Sequence, residues 1–322
     1  MCGFAGFIDL ARRTPEETLL ARAEGMATRL YHRGPDGDGV WADAGAGLAL
    51  GHRRLAILDL SSTGHQPMAS ADGRHVIAYN GEVYNFSELR AELEAGGVAF
   101  RGSCDTEVVV EAIAAWGLER ALGRMVGMFA LALWDKAERV LYLARDRLGI
   151  KPLYWGACGG HFLFASEIKA LRAHPAWTAG VDLEALATYL RFGYVPSPRS
   201  IYTGISKLDP GTFLTLREGG EAEIQRYWDL REITSSTCAR QGDLDDTEAA
   251  DQLDDLLRHA VKGRMAADVP LGAFLSGGVD SSTVAAMMQA QSLRPVKTFS
   301  IGFTESAFDE SGEAAAVARH LG

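Results

Sequence analysis

The feature that most constrains the fold is a series of paired apolar segments joined by short polar turns. MFALALWD and RVLYLARD are joined by the turn Asp135–Glu138, and PLYWGA and HFLFASE by Cys158–Gly160. Segments of this length with such turns are typical of antiparallel β-hairpins. A sheet of consecutive hairpins with helices outside it is predicted to be α+β rather than doubly wound.

The rest of the first two hundred residues also predicts short strands with helices inserted between them. A strand is predicted at Gly3–Leu10, and apolar residues at helical spacing predict a surface helix at Glu16–Leu30. The further predicted elements are strands at 48–59 and 75–80, helices at 87–95 and 106–116, and a last hairpin from 212–216 and 225–228.

The pattern changes after the polar segment Glu232–Asp246, which lacks apolar periodicity and is the predicted linker. An amphipathic helix at Thr247–Arg264 precedes a strand–helix–strand–helix series, predicted at Leu271–Leu275, 280–290, Val296–Phe303 and 310–320. This order is typical of a parallel α/β sheet. Because open sheets usually contain about four to six strands, the second domain is predicted to be incomplete.

Composition and charge exclude several classes of protein. A 47% hydrophobic share with 23% charged residues is typical of a globular protein with a substantial core. The net charge of −10 argues against a general nucleic-acid or membrane-surface binder, because both partners are polyanionic. The four cysteines form no CxxC pair and follow no secretory signal, and the apolar runs are too short for a membrane span. We therefore expect a cytoplasmic protein with free thiols.

Cys2 is the first residue whose chemistry needs explaining. Because its side chain is small, removal of Met1 by methionine aminopeptidase is expected, leaving a thiol beside a free α-amine. Their unperturbed pKa values are close, about 8.5 for the thiol and about 7.7–8.0 for the α-amine. One residue could therefore supply both nucleophile and proton acceptor. On position alone, the better explanation is a small residue that favours the start of translation.

Three later segments offer the groups that an acyl-transfer site needs. In Tyr79–Asn85, predicted to end a strand in a tight turn, Asn80 offers a side-chain amide and Gly81 an unshielded backbone N–H. Arg54 offers a fork for a carboxylate, and Asp105 a partner for an ammonium group. Taken singly, a hairpin turn, a solvent-facing arginine and a helix N-cap are the better explanations.

Eight segments in order carry a family resemblance: MCGFAGF, HRGPDGDG, RRLAILDLS, YNGEVYNF, CDTEVVVEA, MFALALWD, RDRLGIKPLYW and ASEIKAL. They resemble the class II (N-terminal-nucleophile) glutamine amidotransferase domain of glutamine-hydrolysing asparagine synthetases, through nearly all of residues 2–216. The resemblance implies a layered αββα fold with antiparallel sheets. It implies that Cys2 is the nucleophile and that Asn80 and Gly81 form the oxyanion hole. The implied glutamine-binding residues are Arg54, Leu55, Ile57, Leu58, Asn80, Gly81, Glu82 and Asp105.

One residue departs from the family pattern. Cys104 stands where the family usually has serine, so a second thiol is expected beside the pocket. The histidines show no HxxxH or HExxH spacing, and we interpret them as structural or surface residues.

A second motif, SGGVDSS, lies between a predicted buried strand and a helix. Two glycines entering a helix N-terminus expose backbone N–H groups to an anion, and the serines add hydroxyl donors. The motif lacks the GK[ST] ending of a Walker A loop. It resembles the pyrophosphate loop of the ATP-pyrophosphatase family, which implies ATP as a ligand and Asp280 as a Mg²⁺ contact. The implied nucleotide site comprises Leu275, Ser276, Gly277, Gly278, Asp280, Ser281, Ser282 and Ile301.

The resemblance divides the chain into an amidotransferase domain (1–216), a connecting segment (217–246) and the N-terminal part of an incomplete ATP-pyrophosphatase domain (247–322). It implies that ammonia from glutamine converts aspartate, activated as β-aspartyl-AMP, into asparagine, with release of AMP and pyrophosphate. The expected partners are therefore small molecules, namely glutamine, aspartate and ATP, with neither nucleic acid nor membrane. Relatives in the family are often dimers, so a homodimer is implied by analogy alone.

Two alternatives stay open at this point. The first is a related amidotransferase that acts on another carboxylate acceptor, because the acceptor pocket is expected beyond residue 322. The second is a chain that only hydrolyses glutamine, and we expect this chain alone to lack synthetase activity. A phosphoribosyl-transferring amidotransferase is opposed by SGGVDSS, and a β-lactam-forming relative by the retained Cys2.

Overall fold

The chain divides into two structural units after Ile233. The computed structural model describes residues 2–238, 245–305 and 308–322. Among these residues, no helix is both long enough and apolar enough to cross a membrane.

Two six-stranded antiparallel sheets form the centre of the first unit. The first sheet contains, in chain order, β1 (Gly3–Asp9), β2 (Gly37–Asp43), β3 (Leu48–Arg54), β8 (Tyr154–Cys158), β9 (His161–Ala165) and β10 (Ile205–Lys207). The second contains β4 (Met68–Ala69), β5 (His75–Val83), β6 (Gly127–Asp135), β7 (Val140–Arg145), β11 (Thr212–Arg217) and β12 (Ala222–Arg226). Their spatial orders are β10-β8-β9-β1-β3-β2 and β12-β11-β7-β6-β5-β4.

Six helices belong wholly to this unit, among the described residues: α1 (Glu16–Thr28), α2 (Phe86–Ala95), α3 (Asp105–Trp116), α4 (Leu118–Arg124), α5 (Ile168–Leu171) and α6 (Leu183–Phe192). Helices α1 and α5 pack against the outer face of the first sheet, and α2, α3 and α4 against that of the second. Apolar side chains of both inner faces, such as Phe4 and Ala130, form the central core. The predicted αββα layering with antiparallel sheets is therefore confirmed.

The second unit follows the predicted parallel pattern. Helix α7 (Leu230–Cys238) spans the boundary, and the later elements are α8 (Asp246–Arg264), β13 (Gly272–Phe274), α9 (Val279–Ala290), β14 (Lys297–Phe299) and α10 (Ser311–Leu321). Strands β13 and β14 pair in parallel, with Ala273 opposite Thr298. The predicted start of an α/β domain is confirmed.

Two predicted strands have other bounds: β12 (Ala222–Arg226) begins before the expected 225–228, and β14 (Lys297–Phe299) is shorter than the expected Val296–Phe303. Three further expectations also differ from the structure. The predicted linker begins within α7, and its residues 239–244 lie outside those that the structure describes. Strand β3 ends at Arg54 rather than at residue 59, because the chain turns away there and Asp59 adopts a φ of 55°. Asn80 and Gly81 do not form a tight turn, since β5 continues to pair with β6 as far as Val83.

Candidate active site

One cavity of the first unit is lined by all the residues predicted for the glutamine site: Cys2, Arg54, Leu55, Ile57, Leu58, Asn80, Gly81, Glu82 and Asp105. The fold explains why they meet. Cys2 immediately precedes β1, Arg54 ends the neighbouring β3, Asn80 lies on β5, and Asp105 begins α3. The cavity therefore lies where the two sheets and the N-terminus of α3 meet. The roles of these residues remain proposals.

The Cys2 thiol is held by the backbone just after β3. The N–H of Leu55 donates to Sγ at 3.3 Å, and Sγ lies 3.5 Å from the Leu55 carbonyl oxygen, to which the thiol donates. Burial raises the pKa of the Cys2 thiol, while the Leu55 N–H acts in the opposite direction. The thiol is therefore protonated near neutral pH and needs a base to become a nucleophile.

Asn80 is the most unusual polar group in the cavity. Its side chain is only 1% exposed, and neither amide atom has a hydrogen-bond partner among the described residues. A buried, unpartnered amide costs roughly 1–3 kcal/mol. Such a cost is typical of a group kept for a ligand.

Gly81 offers its N–H to the same cavity because of its place in the sheet. Its neighbour on β6 is Phe129, whose N–H donates to the Asp146 carboxylate and whose C=O accepts from the Asp146 N–H. Both groups of Phe129 therefore point to the far side of β6. The Gly81–Phe129 pair is therefore of the non-hydrogen-bonded type, and the Gly81 N–H faces away from β6. A Cβ at Gly81 would lie 2.4 Å from the Met128 carbonyl oxygen, so only glycine fits here.

Arg54 is held in position by the loop that it helps to fold. Its guanidinium group donates to the carbonyl oxygens of Ser61 at 2.8 Å and Leu58 at 3.4 Å, and also to that of Asp59. A Cβ at Gly64 would lie 2.0 Å from Arg54 Nη2, which explains the glycine there. The cation therefore faces the cavity with its orientation already fixed.

Asp105 is the first residue of α3, and Cys104 rather than Asp105 is the N-cap. The Asp105 carboxylate accepts hydrogen bonds from the Val83 N–H at 3.0 Å and from the Tyr79 hydroxyl at 3.2 Å. Burial nevertheless raises the pKa of Asp105 to about 6. This acid therefore changes its protonation state just below neutral pH.

Six further residues line the cavity but were not predicted to bind glutamine: Gly64, Gln66, Tyr79, Cys104, Thr106 and Lys151. Lys151 is 2% exposed, and burial lowers its pKa. The signal that would have identified it is a lysine inside the otherwise recognised segment RDRLGIKPLYW. Burial also raises the pKa of Cys104 to about 11, so this second thiol is a weak competitor in labelling experiments.

The predicted nucleotide residues lie at the carboxyl ends of β13 and β14 in the second unit. Four of them, Leu275, Ser276, Ser281 and Ile301, line one groove with exposed phenylalanines. The others lie in the adjoining loop and first turn of α9: Gly277, Gly278, Asp280 and Ser282.

The geometry of this loop depends on its glycine and serine residues. Gly277 has a φ of +82°, and a Cβ there would lie 2.6 Å from Cβ of Glu313. Ser281 Oγ accepts from the Ser276 N–H at 3.2 Å. Ser282 Oγ is buried and, within the described part of the chain, has no hydrogen-bond partner. The loop therefore presents an open helix N-terminus together with an unused hydroxyl.

The two antiparallel sheets with helices outside them form the layered fold of N-terminal-nucleophile amidotransferases. The family model described as "Glutamine amidotransferase domain" matches residues 1–228, and the chain belongs to this family. The model described as "Asparagine synthase" matches residues 252–322.

Curated relatives that align with nearly the whole chain have names that agree with both family matches. The chain is 37% identical over 326 residues to "Asparagine synthetase [glutamine-hydrolyzing] 1" of Bacillus subtilis, an alignment that covers 100% of this chain and 49% of that protein. It is 36% identical to "Asparagine synthetase [glutamine-hydrolyzing] 3" of the same organism, covering 95% of this chain and 49% of that protein. The chain thus spans about half the length of the curated relatives it matches.

A solved structure shares the fold. The glutamine phosphoribosylpyrophosphate amidotransferase of B. subtilis, complexed with ADP and GMP, superposes with a TM-score of 0.53 at 21% identity. This likeness covers 70% of our chain and 49% of the other, and it shows the fold alone.

Proposed function

We propose that the first unit hydrolyses glutamine at Cys2 and releases ammonia. The observation that carries this proposal is the buried, unpartnered amide of Asn80, which lines one cavity with the Cys2 thiol and the Asp105 carboxylate. Hydrolysis of the side-chain amide of an amino acid requires three groups: a nucleophile, a donor to the oxyanion, and a carboxylate that binds the ammonium group.

The proposed reaction begins when removal of Met1 frees the α-amine of Cys2. That amine accepts the thiol proton, and the thiolate attacks the side-chain carbonyl carbon of glutamine. Asn80 Nδ2 and the Gly81 N–H donate to the resulting oxyanion. The carbon–nitrogen bond then breaks, the proton passes to the leaving nitrogen, and ammonia departs from a γ-glutamyl thioester. Water hydrolyses this thioester to glutamate and restores the thiol.

Substrate selection follows from the charges around the cavity. Arg54 would bind the α-carboxylate of glutamine, while Glu82 and Asp105 would bind its α-ammonium group. The apolar side chains of Leu55, Ile57 and Leu58 would line the pocket. The two charged ends then place the amide carbon relative to Sγ.

The raised pKa of Asp105 predicts a specific pH dependence. Only the ionised carboxylate pairs with an ammonium group, so kcat/KM for glutamine should fall as the pH decreases through about 6. Asp105→Asn should raise KM for glutamine about tenfold or more and should remove the part of the decline centred near pH 6, while the decline caused by protonation of the Cys2 α-amine remains. Steady-state kinetics between pH 5 and 8 measure both effects. An Asp105→Asn enzyme with an unchanged acidic limb would assign the limb to another group.

We propose that the second unit binds the phosphates of ATP and supports the amidation of aspartate to asparagine. The residues fit such a ligand, since Ser282 offers an unused hydroxyl and the N-terminus of α9 is open. Ser276, Gly277, Gly278 and Ser281 would hold the pyrophosphate, with Leu275 and Ile301 beside the nucleotide. Bound there, ATP would supply the adenylyl group that activates the acceptor carboxylate, with release of pyrophosphate.

We also propose that Mg²⁺ accompanies ATP at this site. Asp280, in the first turn of α9, would contact Mg²⁺ that arrives with ATP. A cytoplasmic location is also proposed, because Cys2, Cys104 and Cys158 are free thiols, as is usual in a reducing compartment. The domain division at 216 and 246 and a homodimer likewise remain proposals.

The experiment that tests the function uses the chain with Met1 removed and glutamine labelled at its amide nitrogen. Release of glutamate and labelled ammonia is expected. Adding aspartate and Mg-ATP then tests the second unit: labelled asparagine with AMP supports synthesis, whereas glutamate alone restricts the activity of this chain to hydrolysis. Absence of glutamate from a preparation with a free Cys2 terminus would contradict the proposed glutaminase.

A further inference from the structure

The Asp105 carboxylate is anchored by two donors that both belong to β5. The Tyr79 hydroxyl donates to Asp105 Oδ2 at 3.2 Å, and the Val83 N–H donates to the same oxygen at 3.0 Å. Neither bond uses Oδ1. One oxygen of the carboxylate is therefore held by β5, and these two bonds leave the other to a ligand in the cavity that Asp105 lines.

The Tyr79 ring is fixed in the core beneath α3. Tyr79 is 1% exposed and belongs to the same core cluster as Val108. Its backbone is held on both edges of β5: it lies opposite Leu131 of β6, and on the other edge its N–H donates to Gln66 Oε1 at 2.7 Å while its C=O accepts from His52 Nε2 at 3.0 Å. The hydroxyl therefore meets α3 as part of the packed core rather than as a mobile side chain.

The Tyr79 hydroxyl stays a donor at every pH at which Asp105 ionises. Burial raises the pKa of Tyr79 well above its ordinary value, and the charge of Asp105 raises it further. A donated hydrogen bond stabilises an ionised carboxylate more than the protonated acid. Loss of this hydroxyl would therefore favour the protonated form of Asp105.

The surroundings of Asp105 act in both directions on its ionisation. Burial is the largest cause of its raised pKa, and the nearby charge of Glu82 adds to it, whereas the hydrogen bonds from Val83 and Tyr79 lower that pKa. The other titratable groups on the elements around Asp105 are Cys2, Arg54, Asp59, Cys104, Glu107 and Lys151. The Tyr79 hydroxyl is the side-chain donor in direct contact with the carboxylate, so it can be removed without changing any of these charges.

We propose that Tyr79 is a positioning residue for the substrate: its hydroxyl keeps the Asp105 carboxylate in the ionised form that pairs with the α-ammonium group of glutamine. The inference rests on the proposed function for the identity of that ammonium group. In this role Tyr79 acts through Asp105 and not on the reacting atoms. Its loss should weaken glutamine binding near the pH at which Asp105 ionises and have little effect at higher pH.

The test compares Tyr79→Phe with wild type, and Tyr227→Phe serves as the matched control. The Tyr227 hydroxyl also donates a hydrogen bond, to the Arg145 carbonyl oxygen at 2.9 Å, but Tyr227 does not line the cavity. The first readout is the ionisation midpoint of Asp105 in the free protein, followed by ¹³C NMR of the carboxyl groups and assigned from the signal that Asp105→Asn lacks. The second readout is kcat and KM for glutamine between pH 5 and 8.

We expect Tyr79→Phe to raise the ionisation midpoint of Asp105 by about 0.5–1 pH unit, the equivalent of one ordinary hydrogen bond. Because the pKa of Asp105 in wild type is about 6, KM at pH 6.5 should rise about 1.5- to 3-fold. At pH 8 the carboxylate is ionised in both proteins and Val83 still anchors it, so KM should match wild type. We expect kcat to change less than about twofold, and Tyr227→Phe to match wild type throughout. If Tyr79→Phe does not fold, Tyr79→Met, which also lacks the hydroxyl, is measured in its place.

The outcomes separate this inference from the proposed glutaminase. An unchanged Asp105 midpoint in the folded Tyr79 variant would overturn the role of the hydroxyl, even if wild type hydrolyses glutamine. An equal rise in KM at pH 6.5 and pH 8 would indicate a general packing defect and would also overturn it, as would an equal shift of the midpoint in Tyr227→Phe. If wild type does not hydrolyse glutamine but the midpoint still rises in Tyr79→Phe, the glutaminase proposal fails and the control of Asp105 by Tyr79 stands.

Discussion

Replacing Cys2 with alanine is expected to reduce glutamine hydrolysis to background, a loss on the order of 10⁶-fold. The reason is chemical: the remaining methyl group cannot form the thioester, and the other thiol that lines the cavity, Cys104, is buried with a pKa raised to about 11. Glutamate release measured with a coupled assay gives the rate. Cys2→Ser is expected to be nearly as inactive, since an alcohol is much harder to ionise than a thiol.

The matched control for this change is Cys158→Ala. Cys158 is also buried in the first unit, where its Sγ accepts from the Thr178 N–H at 3.0 Å, but it does not line the cavity. Its replacement is expected to keep kcat/KM within about twofold. Full hydrolysis by Cys2→Ala would show that the nucleophile lies elsewhere. In a protein that also carries the complete synthetase activity, ammonia-dependent synthesis should survive Cys2→Ala, because that reaction bypasses the thiol.

Replacing Asn80 with alanine is expected to lower kcat by roughly 10²–10³, the usual loss for one oxyanion donor. KM should change little, because the donor acts on charge that develops only during the reaction. The same variant should be at least as stable as wild type, since its buried amide has no partner among the described residues and removing it relieves a desolvation cost. Kinetics together with thermal unfolding measure both effects.

Asn85→Ala is the matched control, and it is expected to lower stability rather than kcat. The Asn85 side chain donates to the Arg124 carbonyl oxygen at 3.1 Å and accepts from the Val126 N–H at 2.9 Å. Its loss should lower stability by about 1–2 kcal/mol without a specific effect on kcat. If Asn80→Ala changed only KM, Asn80 would be a binding residue rather than an oxyanion donor. If it lost stability as Asn85→Ala does, its amide would have a structural role.

Local sequence signals predicted most of the architecture. Hairpins such as that formed by β6 and β7 depend on short turns and alternating side chains, which can be read within a few residues. The course of β5 through Asn80 and Gly81 could not be read in this way. Asn-Gly normally indicates a turn, but here the contact of Gly81 with the backbone of β6 requires glycine, and β6 lies far away in the sequence.

The cavity residues were predicted through family motifs rather than through local physics. Arg54, Asn80 and Asp105 each have an ordinary structural explanation when taken alone, and only the fold brings them to one cavity. Lys151 was not predicted, because the cavity is lined by segments that lie far apart in the sequence. The end of β3 at Arg54 was missed for a different reason: the following loop is held by side-chain contacts with Arg54 itself, which a pattern of apolar residues does not reveal.

The most direct test of the account is the mass of the protein before and after treatment with 6-diazo-5-oxo-norleucine, an electrophilic glutamine analogue. We expect a chain that lacks Met1 and that gains one adduct, mapped to Cys2 by peptide sequencing and prevented by excess glutamine. A chain that keeps Met1 in most molecules and forms no adduct at Cys2 would contradict the account.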